Sequence, residues 1–505
     1  MAELEFQKAP GRTTELQAEF TNLEVYPDST VATAGRTYAL ARSEKGKQLL
    51  VKGDETDLRR AGFEGTMIAG RILVGELTPA NAAALRKALD YLRPVRSEGR
   101  TSIGLGDRLG LATPGHIRAI EGTNLFPYLA QQSIREMART GRHPQQVMDE
   151  ALWGIFQTGY TDGFGSDADH LKTPADLADC LRAGFTLFTI DPGDQVDNQA
   201  DTDAPETLLS KCRGLGAEAP DLNLDRLRKS YLSGKVKLPG GSSLEFSETE
   251  LLRAAVKYGR AIKHTVMMYQ TLKSAAAGRT FELEMSVDET LTPTTVGEHY
   301  FVASELARAG VTWVSLAPRF VGRFEKGVDY IGNLDEFRKE LIRHRAVARQ
   351  LGNYKISIHS GSDKFSLYPT IAEVTEGRVH LKTAGTSYLE AVRTIADTNP
   401  ELYRAIYRFA RERYETDRAS YHVSAKIDRV PPENALSNGD LEASLDDFHT
   451  RQMLHVTFGS VLTARTEDGS YRFRTEFYRT LEAEELEHYR CLAKHLGRHA
   501  RPFAR

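Results

Sequence analysis

Cysteine is scarce in this chain: three residues among 505, at Cys180, Cys212 and Cys491. So few, so widely spaced, exclude a disulfide framework and a thiolate zinc site, and they fit a reducing compartment. An excess of one charge is also missing. The 66 Lys and Arg nearly balance the 69 Asp and Glu, leaving a net charge of −3. That balance argues against nucleic acid as a partner, which would call for a strongly basic domain. No apolar run approaches the roughly 20 residues of a membrane helix. The opening stretch MAELEFQKAPGRTTE carries no apolar core of the kind a secretory leader needs. The expectation is a cytoplasmic globular protein with no membrane partner, long enough to bury a large core without staples.

What is present is a repeated alternation. Residues 1–100 read as a small α+β region, with strand-like LEVYPDSTVATAGRTYALARS and KGKQLLVKGD followed by a helical PANAAALRKALDYL. From 101 onward, short apolar runs recur between helix-like stretches. They are TSIGLG (101–106), LFPYLAQQ (125–132), GFGSDADH (163–170), FTLFTID (185–191), TFELEMS (280–286), VTWVSLA (311–317), YKISIHS (354–360) and RVHLKTA (378–384). Eight strands alternating with helices predict an α/β fold of the (β/α)8 TIM type over 101–385, with a doubly wound open sheet as the competitor. The first and third runs are weak strands because of their glycines. Residues 192–279, between the fourth and fifth runs, are too long for a βα loop and read as a helical insertion that lids or walls a site. Residues 386–505 read as a C-terminal helical extension.

Barrel chemistry sits at the C-terminal ends of the strands, and there the polar residues collect. Gln131 and Gln132 end the second run; Asp167, Asp169 and His170 end the third; Asp191 ends the fourth. Glu282, Glu284, Ser286, Asp288 and Glu289 follow the fifth, Arg319 the sixth, His359 and Ser360 the seventh, and His380 and Lys382 occupy the eighth. Alternation places Glu282, Glu284 and Ser286 on one face, and His380 with Lys382 on one face. A purely structural strand would not carry unpaired carboxylates, because burying them is costly. Imidazoles beside carboxylates suit a divalent cation, although each histidine alone also fits a satisfied core position. GLGDRLG (104–110) and HSGSD (359–363) look like anion loops but match neither the dinucleotide nor the P-loop spacing. Arg319 and Arg323 form a pair able to fork onto a carboxylate, or to make surface ion pairs.

The strings GDRLGLATPGHIRA, LAQQSIRE, DGFGSDADHLKTP, FTIDPGDQVDN, SVDETLTPTTVGEHYF, SLAPRFVGRFEKGVDYIG, SIHSGSDKFS, HLKTAGTSYLEA and LHVTFGSVLT resemble the tagaturonate epimerase family, including members of the tagatose 4-epimerase type. The resemblance spans about Gly104 to Arg498. It implies a metal-dependent epimerase of a ketohexuronate or ketohexose.

Tagaturonate and fructuronate differ at a carbon β to the ketone, whose proton the carbonyl does not acidify. Retro-aldol cleavage, rotation of the aldehyde fragment and re-addition is the easier route. It needs a Lewis acid on the ketone, a base at the hydroxyl and an opposing acid. The groups expected to supply these are His170, His359 and His380 as ligands of a divalent cation (Zn, Mn, Ni, Co or Fe), with Asp169 and Glu284 as the acid–base pair. Lys382 would stabilise an alkoxide or, alternatively, form a Schiff base. Gln132, Asp191, Arg319, Arg323, Ser360 and Lys364 are the expected grip on the sugar or sugar acid. The alternatives are a metal-dependent sugar aldolase or isomerase on the same barrel, and a non-catalytic carbohydrate-binding protein. A homo-oligomer fits any of them.

Overall fold

The computed structural model describes residues 23–44 and 46–504; the stretch MAELEFQKAPGRTTE, read above for a leader, lies outside them. The chain divides into two compact units, one formed by the N-terminal residues up to Arg93 with Met148–Gly163, the other by Pro94–Val147 with Phe164–Arg505.

The first unit is built on an antiparallel sheet in which Arg36–Ser43 and Gly46–Lys52 form the central hairpin. Leu23, Val25, Ala39, Ala41, Leu50 and Ile72 bury one face of that sheet. The helix Pro79–Ala88 follows, started by Thr78, whose side chain accepts from the Asn81 backbone N–H.

The second unit is a closed parallel barrel. Its strands are β1 (Ser102–Gly106), β2 (Phe126–Ser133), β3 (Gly165–Leu171), β4 (Leu187–Ile190), β5 (Glu282–Ser286), β6 (Ser315–Ala317), β7 (Lys355–Ile358) and β8 (Val379–Thr383). They pair in sequence order, and β8 closes onto β1 through Leu381 opposite Ile103. All eight predicted runs are therefore strands, and the open sheet is excluded. The glycines that weakened the first and third runs are what let the interior fill. A Cβ at Gly104 would meet Gln131 Oε1 at 2.7 Å, and one at Gly165 would meet the Tyr128 ring at 2.5 Å. Small residues face large ones across the packed interior of the barrel.

The insertion between β4 and β5 holds helices Pro205–Glu218, Leu224–Tyr231 and Glu248–Ala275. The last of these, opened by a Ser247–Glu250 capping box, packs between Pro174–Ala183 and Val296–Arg308. It thus fills the place of the barrel helix between β4 and β5. At the other end of the chain, Glu485–Ala500 packs against both Thr113–Ile120 and Thr386–Thr398, closing the helical ring between the first and last strands. Among the described residues, no helix is long and apolar enough to cross a membrane.

Candidate active site

The barrel interior is polar along most of its length, in three tiers. At the floor, Glu282 accepts from the Ser97 and Glu98 backbone N–H groups (3.0 and 2.9 Å), from Ser97 Oγ (3.0 Å) and from Tyr128 OH (2.8 Å). Lys355 donates to Ser97 Oγ and Ser102 Oγ at 3.1 and 2.8 Å. Burial pulls the Lys355 amine down to about 8 despite the nearby Glu282.

The middle tier is organised by Lys382. Its Nζ reaches Asp169 Oδ1 and Thr189 Oγ1, both at 2.7 Å, and Asp167 Oδ2 and Glu284 Oε1, both at 3.0 Å. Burial alone would strip the proton from this lysine, but the three carboxylates outweigh it and hold the amine well above its usual range. His380 lies in this tier too, with Nδ1 3.0 Å from Ser102 Oγ and Nε2 3.7 Å from Asp167 Oδ2.

The upper tier holds two carboxylate–imidazole pairs. His170 Nδ1 is 2.8 Å from Asp169 Oδ1, and His359 Nε2 is 2.6 Å from Glu284 Oε1. The two ring centroids are 5.0 Å apart. The opposite ring nitrogens both face Asp288 Oδ1, at 3.6 Å from His170 Nε2 and 3.2 Å from His359 Nδ1. Burial opposes charge on Asp169, but His170 and Lys382 outweigh it and hold the carboxyl well below the usual range. Likewise burial opposes a proton on His359, but Asp288 and Glu284 bring it up to about 9.

A strand that alternates strictly would send Asp169 and His170 to opposite faces. The pairing of β3 with β4 slips by one residue here: Phe188 sits opposite Ala168, but Ile190 sits opposite Leu171. At this bulge His170 has φ +54°, and both side chains reach the mouth of the barrel. Ser360, directly after His359, has φ +49°. Two non-glycine residues in the left-handed region at the tops of β3 and β7 are local strain of the kind that gathers at functional sites.

The arrangement fits a divalent cation. Each imidazole has one nitrogen oriented by a carboxylate, the pattern that fixes metal-binding histidines. His170 Nε2 is buried without a hydrogen-bond partner. Asp169, His170 and His359 also offer donor atoms that lie within 4.8 Å of one another. Above the tier opens a cavity of about 210 Å³, lined by Asp288, Glu289 and His359 on one side and by Arg135, Arg319, Arg323, Lys326, Tyr421 and His422 among others.

The tagaturonate epimerase (UxaE) family profile matches residues 26–502. The chain belongs to the tagaturonate epimerase family. Its enzymatic class is carbohydrate epimerase, an isomerase. A protein of Thermotoga maritima named tagaturonate/fructuronate epimerase is 45% identical over 477 residues, covering 94% of this chain and 96% of that one. The crystal structure of native fructuronate-tagaturonate epimerase from Cohnella laeviribosi superposes with a TM-score of 0.90 at 39% identity, over 95% of this chain and 96% of that one. A glycerol complex of the Cohnella enzyme gives the same TM-score, identity and coverage.

In this member of the tagaturonate epimerase family, the barrel brings Asp169, His170, Glu284, His359 and Lys382 together. His380 shares the middle tier with Lys382 but turns to Ser102 and Asp167, away from the two imidazoles. Arg319 and Ser360 line the cavity. Arg323 also lines it, but its side chain is 57% exposed and pairs with Glu325 at 3.4 Å. Gln132 donates to the Asp107 carbonyl at 2.7 Å, and Asp191 accepts from the Gly193 N–H at 2.9 Å. Lys364 is not brought to the cavity. Its buried Nζ donates to the carbonyls of Glu325, Val328 and Ser362 at 2.8, 2.6 and 2.9 Å.

The assignment of site residues from sequence omitted Asp167, Thr189, Asp288, Glu289, Arg135 and Lys326. Asp167 and Asp288 carried the same signal as the residues chosen, a carboxylate at the end of a strand. Lys326 carried none, because it lies in a loop nine residues beyond Ala317, the last residue of β6.

Proposed function

We propose that the chain interconverts tagaturonate and fructuronate by retro-aldol cleavage and re-addition, with a divalent cation held by His170 Nε2, His359 Nδ1 and the Asp288 carboxylate. The observation that carries this reading is the pair of carboxylate-oriented imidazoles facing Asp288, with one shared lysine beneath them. A cation bound there supplies Lewis-acid polarisation of the substrate ketone.

The chain's own residues then divide the remaining work. Asp169 is held ionised; its Oδ1 is occupied by His170 and Lys382, while Oδ2 has only Gln131, at 3.3 Å. Oδ2 is the atom we assign to take the proton of the substrate hydroxyl. Lys382, kept charged by three carboxylates, stabilises the alkoxide that forms when the aldehyde fragment is re-attacked and donates a proton to it, which Asp169 replaces with the one it took from the substrate across their 2.7 Å contact. Glu284 has both oxygens engaged, by His359 and Lys382 on one and Ser315 on the other, and it orients rather than exchanges protons. His380 supports Asp167 from below.

Incubating the enzyme with tagaturonate and following fructuronate by chromatography tests the reading. Conversion without build-up of three-carbon fragments supports the epimerase. Net accumulation of fragments favours the aldolase, and loss of activity on borohydride trapping would favour a Schiff base at Lys382.

A further inference from the structure

Four cations line the cavity above the carboxylate–imidazole tier, and they are not equivalent. Arg135 pairs with Glu289 at 3.1 Å, and Arg323 pairs with Glu325 at 3.4 Å. Arg319 has its backbone tied to Thr294, but among the described residues its guanidinium makes no hydrogen bond or ion pair. Lys326 Nζ donates to Ser360 Oγ at 2.8 Å, and among the described residues no carboxylate lies within ion-pair distance of it. Two positive charges therefore face the cavity without a contact ion pair, both half-buried, with Asp288 and Glu289 acting on them only at longer range.

The backbone that carries Lys326 is fastened on both sides. Lys364 Nζ holds the carbonyls of Glu325 and Val328. Arg451 Nε holds the Gly327 carbonyl at 2.6 Å. The Glu325 carboxylate takes the Ser424 N–H and hydroxyl and the Gln452 amide, at 2.7–2.9 Å. At Gly327 the backbone has φ +72°, the left-handed turn that aims Lys326 at Ser360. Such fastening fixes a charge before the ligand arrives, which lowers the cost of using it.

We propose that Lys326 and Arg319 form the seat for the carboxylate of the substrate and are the residues that make the enzyme prefer a sugar acid to a neutral ketose. This rests on the reading above that a hexuronate binds over His359 and Asp288. A carboxylate bridging Lys326 and Arg319 would neutralise both charges in charge-assisted hydrogen bonds, while the hydroxymethyl group of a ketose would leave them bare. The seat replaces the Arg319–Arg323 pair suggested by sequence, since Arg323 already has Glu325.

The test compares two open-chain ligands that differ only in the group at one end, gluconate and glucitol, binding to the cation-loaded full-length enzyme. Wild-type enzyme should bind gluconate more tightly. Lys326→Met and Arg319→Met should each weaken gluconate by about 10- to 100-fold, with a far smaller change for glucitol, and Lys326→Arg should recover most of the loss. The ratio of kcat/KM for tagaturonate over tagatose should fall with the gluconate affinity. If both ligands weaken together, if gluconate binding survives the substitutions, or if the wild type shows no preference, the assignment is wrong. An enzyme that ignores tagaturonate yet shows and loses the gluconate preference would refute the proposed reaction and leave the anion seat standing.

Discussion

Lys382 Nζ lies 3.0 Å from Glu284 Oε1, although β6 and β7 stand between their strands around the barrel. The contact exists because both side chains point inward at the same height, and the same ammonium reaches Asp167 and Asp169 on β3. One cation thereby neutralises part of three buried carboxylates and links the third, fifth and eighth strands.

Removing that cation should be costly for folding as well as for turnover. Lys382→Met leaves carboxylates buried without their partner, a change worth roughly 3–5 kcal/mol. Chemical unfolding should show this loss. Adding Asp167→Asn to Lys382→Met should return part of it, because one orphaned charge is then gone. Equal stability of the single and double variants would mean that Asp167 and Lys382 are not coupled.

Asp169→Asn keeps the shape of the side chain but removes its basicity. With the divalent ion in saturating excess, steady-state turnover of tagaturonate should drop by about 10²- to 10⁴-fold, beyond the roughly 10- to 100-fold loss of ion affinity expected from weaker orientation of His170. An active Asp169→Asn enzyme would reassign the base.

The cation itself can be tested by removal. Treatment with EDTA followed by desalting should abolish epimerisation, and adding back a divalent ion should restore it. Glu284→Gln weakens the orientation of His359 without touching the other ring nitrogen, so its affinity for the ion should fall about 10- to 100-fold. Isothermal titration with the ion measures this directly. Full activity in the chelated protein would remove the metal from the mechanism.

Lys355 provides a pH signature away from the reacting groups. Its amine titrates at about 8 in the folded protein because of burial, against about 10.4 in an unfolded chain. Between those values the unfolded state holds a proton that the folded state has released, so stability rises with pH across the window. Below about 8 both states are protonated, and the penalty of burying the charge is constant. Relative to Lys355→Met, the wild type should therefore gain Tm from pH 8 to pH 10, and a flat difference would contradict the lowered value.

Much of the fold was legible because local rules govern it. Each barrel strand is a short apolar run bounded by turn residues, and inward positions recur with period two, so Glu282 and Glu284 were placed on one face from spacing alone. The seventh strand and its His359 followed in the same way. Legibility ended where depth and closure matter. Glu282 and Glu284 share a face, yet one seals the floor with Ser97 and Tyr128 and the other meets His359. His380 and Lys382 likewise share a face, but only Lys382 reaches the upper carboxylate Asp169. Alternation fixes which way a side chain points; it carries no information about its partner on a strand two hundred residues away.

The eight strands, their inward faces, the insertion before β5 and the polar strand ends follow from local patterns, because periodicity and turn chemistry are properties of short segments. Tertiary structure decided which charges meet. The barrel had to close before Lys382 could join Asp167, Asp169 and Glu284. A one-residue slip between β3 and β4 was needed to bring Asp169 and His170 to the same mouth, and a fastened loop was needed to present Lys326. Electrostatic pairing depends on distances of a few ångströms between residues far apart in the chain, and only the folded backbone sets those distances.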